Sequence, residues 1–157
     1  MSELQVTVIG SSQPDERTAE LAYRVGELLA ESCATVVSGG RGGVMREVCR
    51  GVKENGGGLT VGILMGKTAA DANEFLDVII PTGLSEARNL PNVLAGQAII
   101  AVGGAEGTLS EIAFAIKNGR PLFGVNTWKH PRFEFPADLT PEEAVKGALQ
   151  AARQRSL

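Results

Sequence analysis

Short runs of β-branched residues alternate along this chain with stretches in which apolar positions recur every three or four residues. The first rhythm belongs to buried strands and the second to amphipathic helices. Leu4 to Ile9 alternates and is rich in valine, which predicts a first strand feeding the loop Gly10-Ser11-Ser12. Pro14 suits a first helical turn, Asp15 and Glu16 suit its positive end, and Leu21, Val25, Leu28 and Leu29 carry a helix to about Glu31. Ala34 to Val37 predicts a second strand, and Val44, Val48 and Val52 a second helix that stops at Asn55-Gly56-Gly57-Gly58. Leu59 to Leu64 predicts a third strand, Gly66 to Glu74 a surface loop, and Asp77 to Ile80 a return to the sheet. Pro91 cannot sit deep inside a helix, so the next helix is expected from about Asn89, with Gly83 to Arg88 as its irregular approach. Ala98 to Val102 and Pro121 to Val125 predict strands, with a helix over Thr108 to Lys117 between them. Thr127 to Leu139 reads as a proline-containing connection before Thr140-Pro141-Glu142-Glu143 starts a last helix. Its stripe of Ala144, Val145, Ala148 and Leu149 is expected to pack on its own domain.

Strands and helices that alternate in this way predict a single doubly wound, mostly parallel α/β sheet of Rossmann-like type, with helices on both faces and one domain over residues 1–157. A chain of 157 residues is long enough to bury roughly 70% of its unfolded surface in one core. No apolar stretch has membrane-spanning length and no charged-then-apolar leader opens the chain, so a cytoplasmic protein is expected. The net charge of −3 comes from 15 basic and 18 acidic residues without a basic block, which argues against nucleic acid as the main partner. Cys33 and Cys49 lack metal-ligand spacing and lie beside apolar neighbours, so both are expected as buried thiols and no metal site is expected.

Two glycine-rich turns carry the candidate chemistry: Ser38-Gly39-Gly40-Arg41-Gly42-Gly43-Val44-Met45 and Gly103-Gly104-Ala105-Glu106-Gly107-Thr108. Each follows an apolar strand run and opens onto a helical pattern. Glycine lets an anion approach bare main chain, and the free N–H groups of a helix start point at the same place. Two such turns at the carboxyl edge of one parallel sheet imply a crevice for a phosphorylated ligand. Backbone N–H groups of Gly104 to Thr108, with the Thr108 hydroxyl, suit a terminal phosphate. Arg88 adds a planar cation that grips two oxygens, and Glu111 lies one helical turn inside. Gly10-Ser11-Ser12 supplies a third wall or an ordinary turn with a helix cap.

At its most specific positions the sequence resembles the Rossmann-like Lonely Guy superfamily, long mislabelled as lysine decarboxylases, over most of residues 4 to 126. Its GGxxGxM turn is matched by Gly39 to Met45, and its PGGxGTxxE turn by Gly103 to Glu111, with Gly103 in place of the proline and Ala105 in place of a glycine. The MHxRK segment that supplies a catalytic arginine in nucleoside-monophosphate phosphoribohydrolases is matched by Ser85-Glu86-Ala87-Arg88-Asn89 at the arginine alone. Thr82-Gly83-Leu84-Ser85-Glu86-Ala87-Arg88-Asn89 instead follows a TGLxxARN pattern, closest to the branch that holds molybdenum-cofactor carrier proteins and relatives of DNA-processing protein A. The resemblance implies a homo-oligomer, dimer or tetramer, that binds a phosphorylated small molecule of nucleotide or molybdopterin type as carrier or sensor. No cofactor is required, and the molybdenum cofactor is a candidate cargo. The alternative is a phosphoribohydrolase that cleaves an N-glycosidic bond with Arg88 and Glu111 as its catalytic pair.

Plainer readings stand beside these. Thr108 and Glu111 also form T-x-x-E, a capping box in which the glutamate only satisfies the helix start. The glycines of the first turn also permit close helix-to-strand packing. The single histidine, His130, sits in the proline-containing connection and gives no triad. Neither turn ends in the lysine-serine/threonine of a P-loop or matches a dinucleotide fingerprint, and no residue stands out as the Schiff-base lysine of a pyridoxal decarboxylase.

Overall fold

The computed structural model describes residues 3–157. Six strands form one sheet: β1 (Gln5–Gly10), β2 (Thr35–Ser38), β3 (Thr60–Leu64), β4 (Val78–Pro81), β5 (Ala98–Val102) and β6 (Leu122–Val125). Their order is β4-β3-β2-β1-β5-β6 and every pairing is parallel. Among the described residues five helices accompany them: α1 (Glu16–Glu31), α2 (Val44–Glu54), α3 (Asn89–Ala95), α4 (Glu106–Lys117) and α5 (Pro141–Arg153), with a 3-10 turn, Ser85–Arg88, leading into α3. This is the doubly wound α/β fold that the alternating pattern predicts.

Alternation along β1 builds both halves of the core. Val6 and Val8 point to the face covered by α1, α2 and α5, while Ile9 points with Ile99 and Ala101 to the face covered by α3 and α4. Ala144, Val145 and Ala148 of α5 are buried in the first of these clusters, so the last helix packs on its own domain. Asp15 caps α1 by accepting from the Thr18 N–H at 2.8 Å, and Thr140 caps α5 through the Glu143 N–H.

Strand β1 pairs with β2 on one side and β5 on the other, so the chain reverses its direction of travel across the sheet at this point. Loops leaving neighbouring strands there diverge to opposite faces and leave a crevice at the carboxyl edge. The two outer edges differ. Along β6, Gly124 donates to the Pro136 carbonyl and accepts from the Leu139 N–H, so the 136–139 segment covers that edge. Along β4, Val78, Ile79 and Ile80 are 39%, 39% and 43% exposed.

Two local expectations are corrected. Cys33 is exposed, because α1 ends at Glu31 and the chain turns at a surface tip with Cys33 at φ +54°; only Cys49 is buried. Burial pushes the Cys49 thiol up to about 11, which leaves it protonated and unreactive. The helix expected from Thr108 begins at Glu106, with Ala105 as its N-cap. Thr108 is therefore the third helical residue and Glu111 the sixth, so they cannot form a capping box.

Candidate functional site

A cavity of about 490 Å³ opens at the crevice between the ends of β1 and β5. Its size suits a small organic ligand. Gly10, Ser11 and Ser12 form one wall after β1, Arg41 and Met45 reach in from the β2–α2 connection, and Ala105 to Thr108 form the opposite wall at the start of α4. Arg88, on the approach to α3, and Glu111, on α4, line it as well. Met65, Glu86, Asn89, Ser110 and Phe114 also line the cavity.

The start of α4 is built to leave its first N–H groups unclaimed. Ala105, in the capping position, is extended and has no side-chain oxygen to offer. Gly104 precedes it at φ +125°, a conformation closed to other residues, and a methyl group there would fall 2.5 Å from Thr108 Cβ. The turn is braced from behind: the Thr127 hydroxyl donates to the Gly103 carbonyl at 2.6 Å and the Trp128 indole N–H to the Ala105 carbonyl at 3.1 Å. Carbonyls are thereby held away while the helix start, with its partial positive charge, opens onto the cavity.

Gly107 is informative because packing does not require it. It lines the cavity, and a methyl group on it would meet no protein atom within 4 Å. Glycine within a helix costs about 0.5–1 kcal/mol relative to alanine. Gly107→Ala is therefore expected to raise stability by about that amount while it weakens ligand binding by narrowing the approach to the helix start. Thermal unfolding and calorimetric titration on the same preparation check both halves, and an alanine variant that binds normally would remove Gly107 from the site.

The first glycine turn works differently. The N–H of Val44, first in α2, is already donated to the Ser11 carbonyl at 2.9 Å. Gly39, Gly40, Gly42 and Gly43 do not line the cavity; the turn contributes through the side chains of Arg41 and Met45. Gly39 makes room for Arg88, whose Nη2 lies 2.5 Å from where a Gly39 Cβ would be. Gly103 packs against Thr18. Thr82 and Gly83 shape the turn after β4 and stay out of the cavity: the Thr82 hydroxyl donates to the Leu64 carbonyl at 2.7 Å and accepts from the Leu84 N–H.

At the cavity floor, Arg88 is 4% exposed. Its guanidinium donates to Asn89 Oδ1 and weakly to the Gly39 carbonyl at 3.4 Å, and its Nε has no partner. Glu111 Oε1 stands 3.8 Å from Arg88 Nη1, while Oε2 accepts from Asn92 Nδ2 at 3.3 Å. Burial raises the Glu111 carboxyl to about 7, and the nearby Arg88 and the Asn92 amide only partly offset this. Burial and the proximity of Arg41 lower Arg88, against the opposing pull of Glu111, but a guanidinium remains charged at neutral pH. The floor thus holds a fixed cation beside an acid that is about half neutral near pH 7.

Asn73 and Asn92 carry no signal in the sequence, and Asn89 stands out only as the last position of the TGLxxARN segment, yet all three hold the site together. Asn73 Nδ2 donates to the Gly40 and Arg41 carbonyls at 3.3 and 3.0 Å and so ties the loop after β3 to the first turn. Asn89 Nδ2 donates to the Ser110 hydroxyl and Asn92 orients Glu111, joining α3 to α4. Thr127 and Trp128 brace the second turn from the proline-containing connection between β6 and α5.

The SLOG cluster4 family pattern matches residues 3–152. An uncharacterized protein of Archaeoglobus fulgidus is 46% identical over 154 residues, covering 97% of this chain and 99% of its own. Among solved structures, the molybdenum cofactor binding protein of the phototrophic bacterium Rippkaea orientalis is 31% identical with a TM-score of 0.84, covering 93% of this chain and 95% of its own. The Moco carrier protein of Chlamydomonas reinhardtii is 28% identical with a TM-score of 0.85, covering 98% of this chain and 100% of its own. The DNA processing protein A of Helicobacter pylori shares the fold at 17% identity and a TM-score of 0.67, covering 95% of this chain and 81% of its own. By its sequence pattern across nearly its whole length, the chain belongs to the SLOG cluster4 family, within the Rossmann-like superfamily that its glycine turns and arginine segment resemble.

Proposed function

We propose that this protein binds a small phosphorylated ligand of nucleotide or molybdopterin type, as a carrier or sensor, with the terminal phosphate at the start of α4. The observation that carries this reading is the unclaimed helix start that shares the cavity with Arg88, a cation 4% exposed whose Nε has no partner among the described residues. An orphaned buried donor is unfavourable by about 1–3 kcal/mol and marks a place where another molecule completes the bonding. The likeness to proteins that bind or carry the molybdenum cofactor supports that group as cargo.

A second reading, N-glycosidic cleavage, is favoured by one observation. Glu111 Oε1 accepts no hydrogen bond among the described residues, and Glu111 lines the same cavity. A carboxyl near pH 7 can hold or release a proton beside a ribose carbon. Incubation with a panel of nucleoside 5′-monophosphates and with the molybdenum cofactor separates the readings, using native mass spectrometry for retained ligand and chromatography for free base. Retained ligand without free base supports the carrier or sensor; base release that Glu111→Gln abolishes replaces it with the hydrolase. In either case Arg88→Gln is expected to weaken binding about tenfold or more, the value of charge-assisted hydrogen bonds.

The proposal includes a homo-oligomer. Apolar Val78, Ile79 and Ile80 along the open β4 edge, with Leu84 50% exposed beside them, form a strip that a solitary domain normally covers or charges. Sedimentation at micromolar concentration is expected to show a dimer or tetramer, and a monomer would end this part of the proposal.

A further inference from the structure

The outer face of α4 carries no charge between its two ends. Thr108, Glu111, Ile112 and Ala115 turn inward and are buried. Glu106, Ala113 and Lys117 are exposed and Ser110 is half-buried, and these four follow one another at spacings of four, three and four residues. Such spacings place them in a single line along the helix. Leu109 and Phe114, both half-buried, flank the line, and Ile116 beside it is 37% exposed. A surface helix normally covers its outer face with charged and polar side chains. Helix α2 does so, and its Arg46, Arg50 and Lys53 all pair with acids of the same chain. Glu106 and Lys117, by contrast, form no ion pair among the described residues.

Reversing the helix maps this face onto itself. Glu106 falls opposite Lys117, Ser110 opposite Ala113, Leu109 opposite Phe114 and Gly107 opposite Ile116. A two-fold axis that crosses α4 between Glu111 and Ile112 generates all four pairings at once, which is the self-complementarity an isologous contact needs. Opposite charges meet at both ends. Small residues meet in the middle, where packed helix axes approach to about 8–10 Å. Apolar residues meet on the flanks, and antiparallel helices bring the positive end of each dipole to the negative end of the other. The charge order therefore calls for a second copy of this same helix.

We infer that two copies of this chain pack α4 against α4 in antiparallel register about that axis, and that each helix borders the cavity of the other copy. This rests on the homo-oligomer reading above and gives it a contact separate from the β4 edge. Glu106, Gly107, Ser110 and Phe114 belong both to the α4 face and to the cavity lining. The second helix thus runs along the cavity rim, with Ile116 of the partner subunit at Gly107 and Leu109 of the partner subunit against Phe114. Both cavities of the dimer border one helix pair.

Sedimentation velocity at micromolar concentration tests the contact, with circular dichroism to establish that each variant is folded. Ala113→Arg sets a long cation opposite Ser110 of the partner subunit and is expected to halve the particle mass of the wild type. An unchanged mass in the folded variant overturns the α4 contact and leaves the homo-oligomer to the β4 edge; a monomeric wild type overturns both readings. Glu106→Lys and Lys117→Glu, each of which puts like charges at both ends of the helix pair, are expected to weaken self-association about fivefold or more. The double variant restores opposite charges and is expected to recover the wild-type association constant. A double variant as weak as the single ones overturns the antiparallel register.

Discussion

Gly43→Ala is expected to destabilise the protein by about 3 kcal/mol or more and to abolish ligand binding, whereas Gly42→Ala, one residue away, leaves both nearly unchanged. Gly43 sits at φ +66° and ψ −131°, outside the regions open to a residue with a Cβ. A methyl group there would also fall 2.4 Å from the Ser11 carbonyl oxygen and 2.5 Å from the Ser12 carbonyl carbon. Those atoms are main chain and cannot swing aside. The Val44 N–H to Ser11 bond, which joins the first glycine turn to the β1 loop, would open, and with it the wall that Gly10 to Ser12 give to the cavity. At Gly42 a methyl group meets nothing within 4 Å. Urea unfolding of both variants checks the contrast, and equal midpoints would show that the turn has slack the geometry does not reveal.

Glu111→Gln is expected to erase a pH dependence of stability between about pH 4.5 and 7. The carboxyl is raised from its ordinary 4.5 to about 7 in the folded chain. Between those values the folded state holds a proton that the unfolded state has released, so stability falls as pH rises through the window. The lost contribution is fully present below the unfolded value and amounts to about 3 kcal/mol once the group is ionised. Asp15, Glu74, Asp77 and Glu142 are shifted the other way and titrate below this range. Unfolding midpoints measured from pH 5 to 8 are expected to slope downward in the wild type and to be flat in Glu111→Gln. A slope of the same size in both would mean that Glu111 is already ionised and solvated at pH 5. The same coupling gives a binding signature: an anion beside Glu111 favours its protonated form, so binding at pH 7.5 takes up protons.

The parts of this molecule legible from its sequence are those that depend on near neighbours. Alternating Val6 and Val8 against Ile9, the helical spacing of Val44, Val48 and Val52, and the start of α3 at Asn89 after an irregular approach all follow from local sterics and burial. A place at a helix mouth alone fits a surface ion pair equally well, and Arg88 was legible through the arginine position of the segment Thr82 to Asn89, which the family resemblance carries. The bracing residues were not. Asn73 lies 33 residues from Gly40, Asn92 19 from Glu111, and Trp128 23 from Ala105. An asparagine in a polar loop reads as solvated until folding supplies a carbonyl for it. T-x-x-E at Thr108 misled for a related reason. The pattern is local, but where α4 begins is decided by the backbone of Gly103 and Gly104, which delivers Ala105 to the capping position. Thr82 and Gly83 shared a motif with Arg88, yet the motif spans a turn and a helix approach, and only its last part reaches the crevice.

Trp128 is the single tryptophan of the chain and its indole N–H is committed to the carbonyl of Ala105, the residue that caps α4. At 40% exposure the ring also senses water. Anything that pulls on the helix start from the cavity side is transmitted through one peptide unit to this hydrogen bond. The protein therefore carries a built-in optical gauge on the far side of the α4 start, and its ultraviolet emission is expected to change when a ligand enters the crevice, without any label.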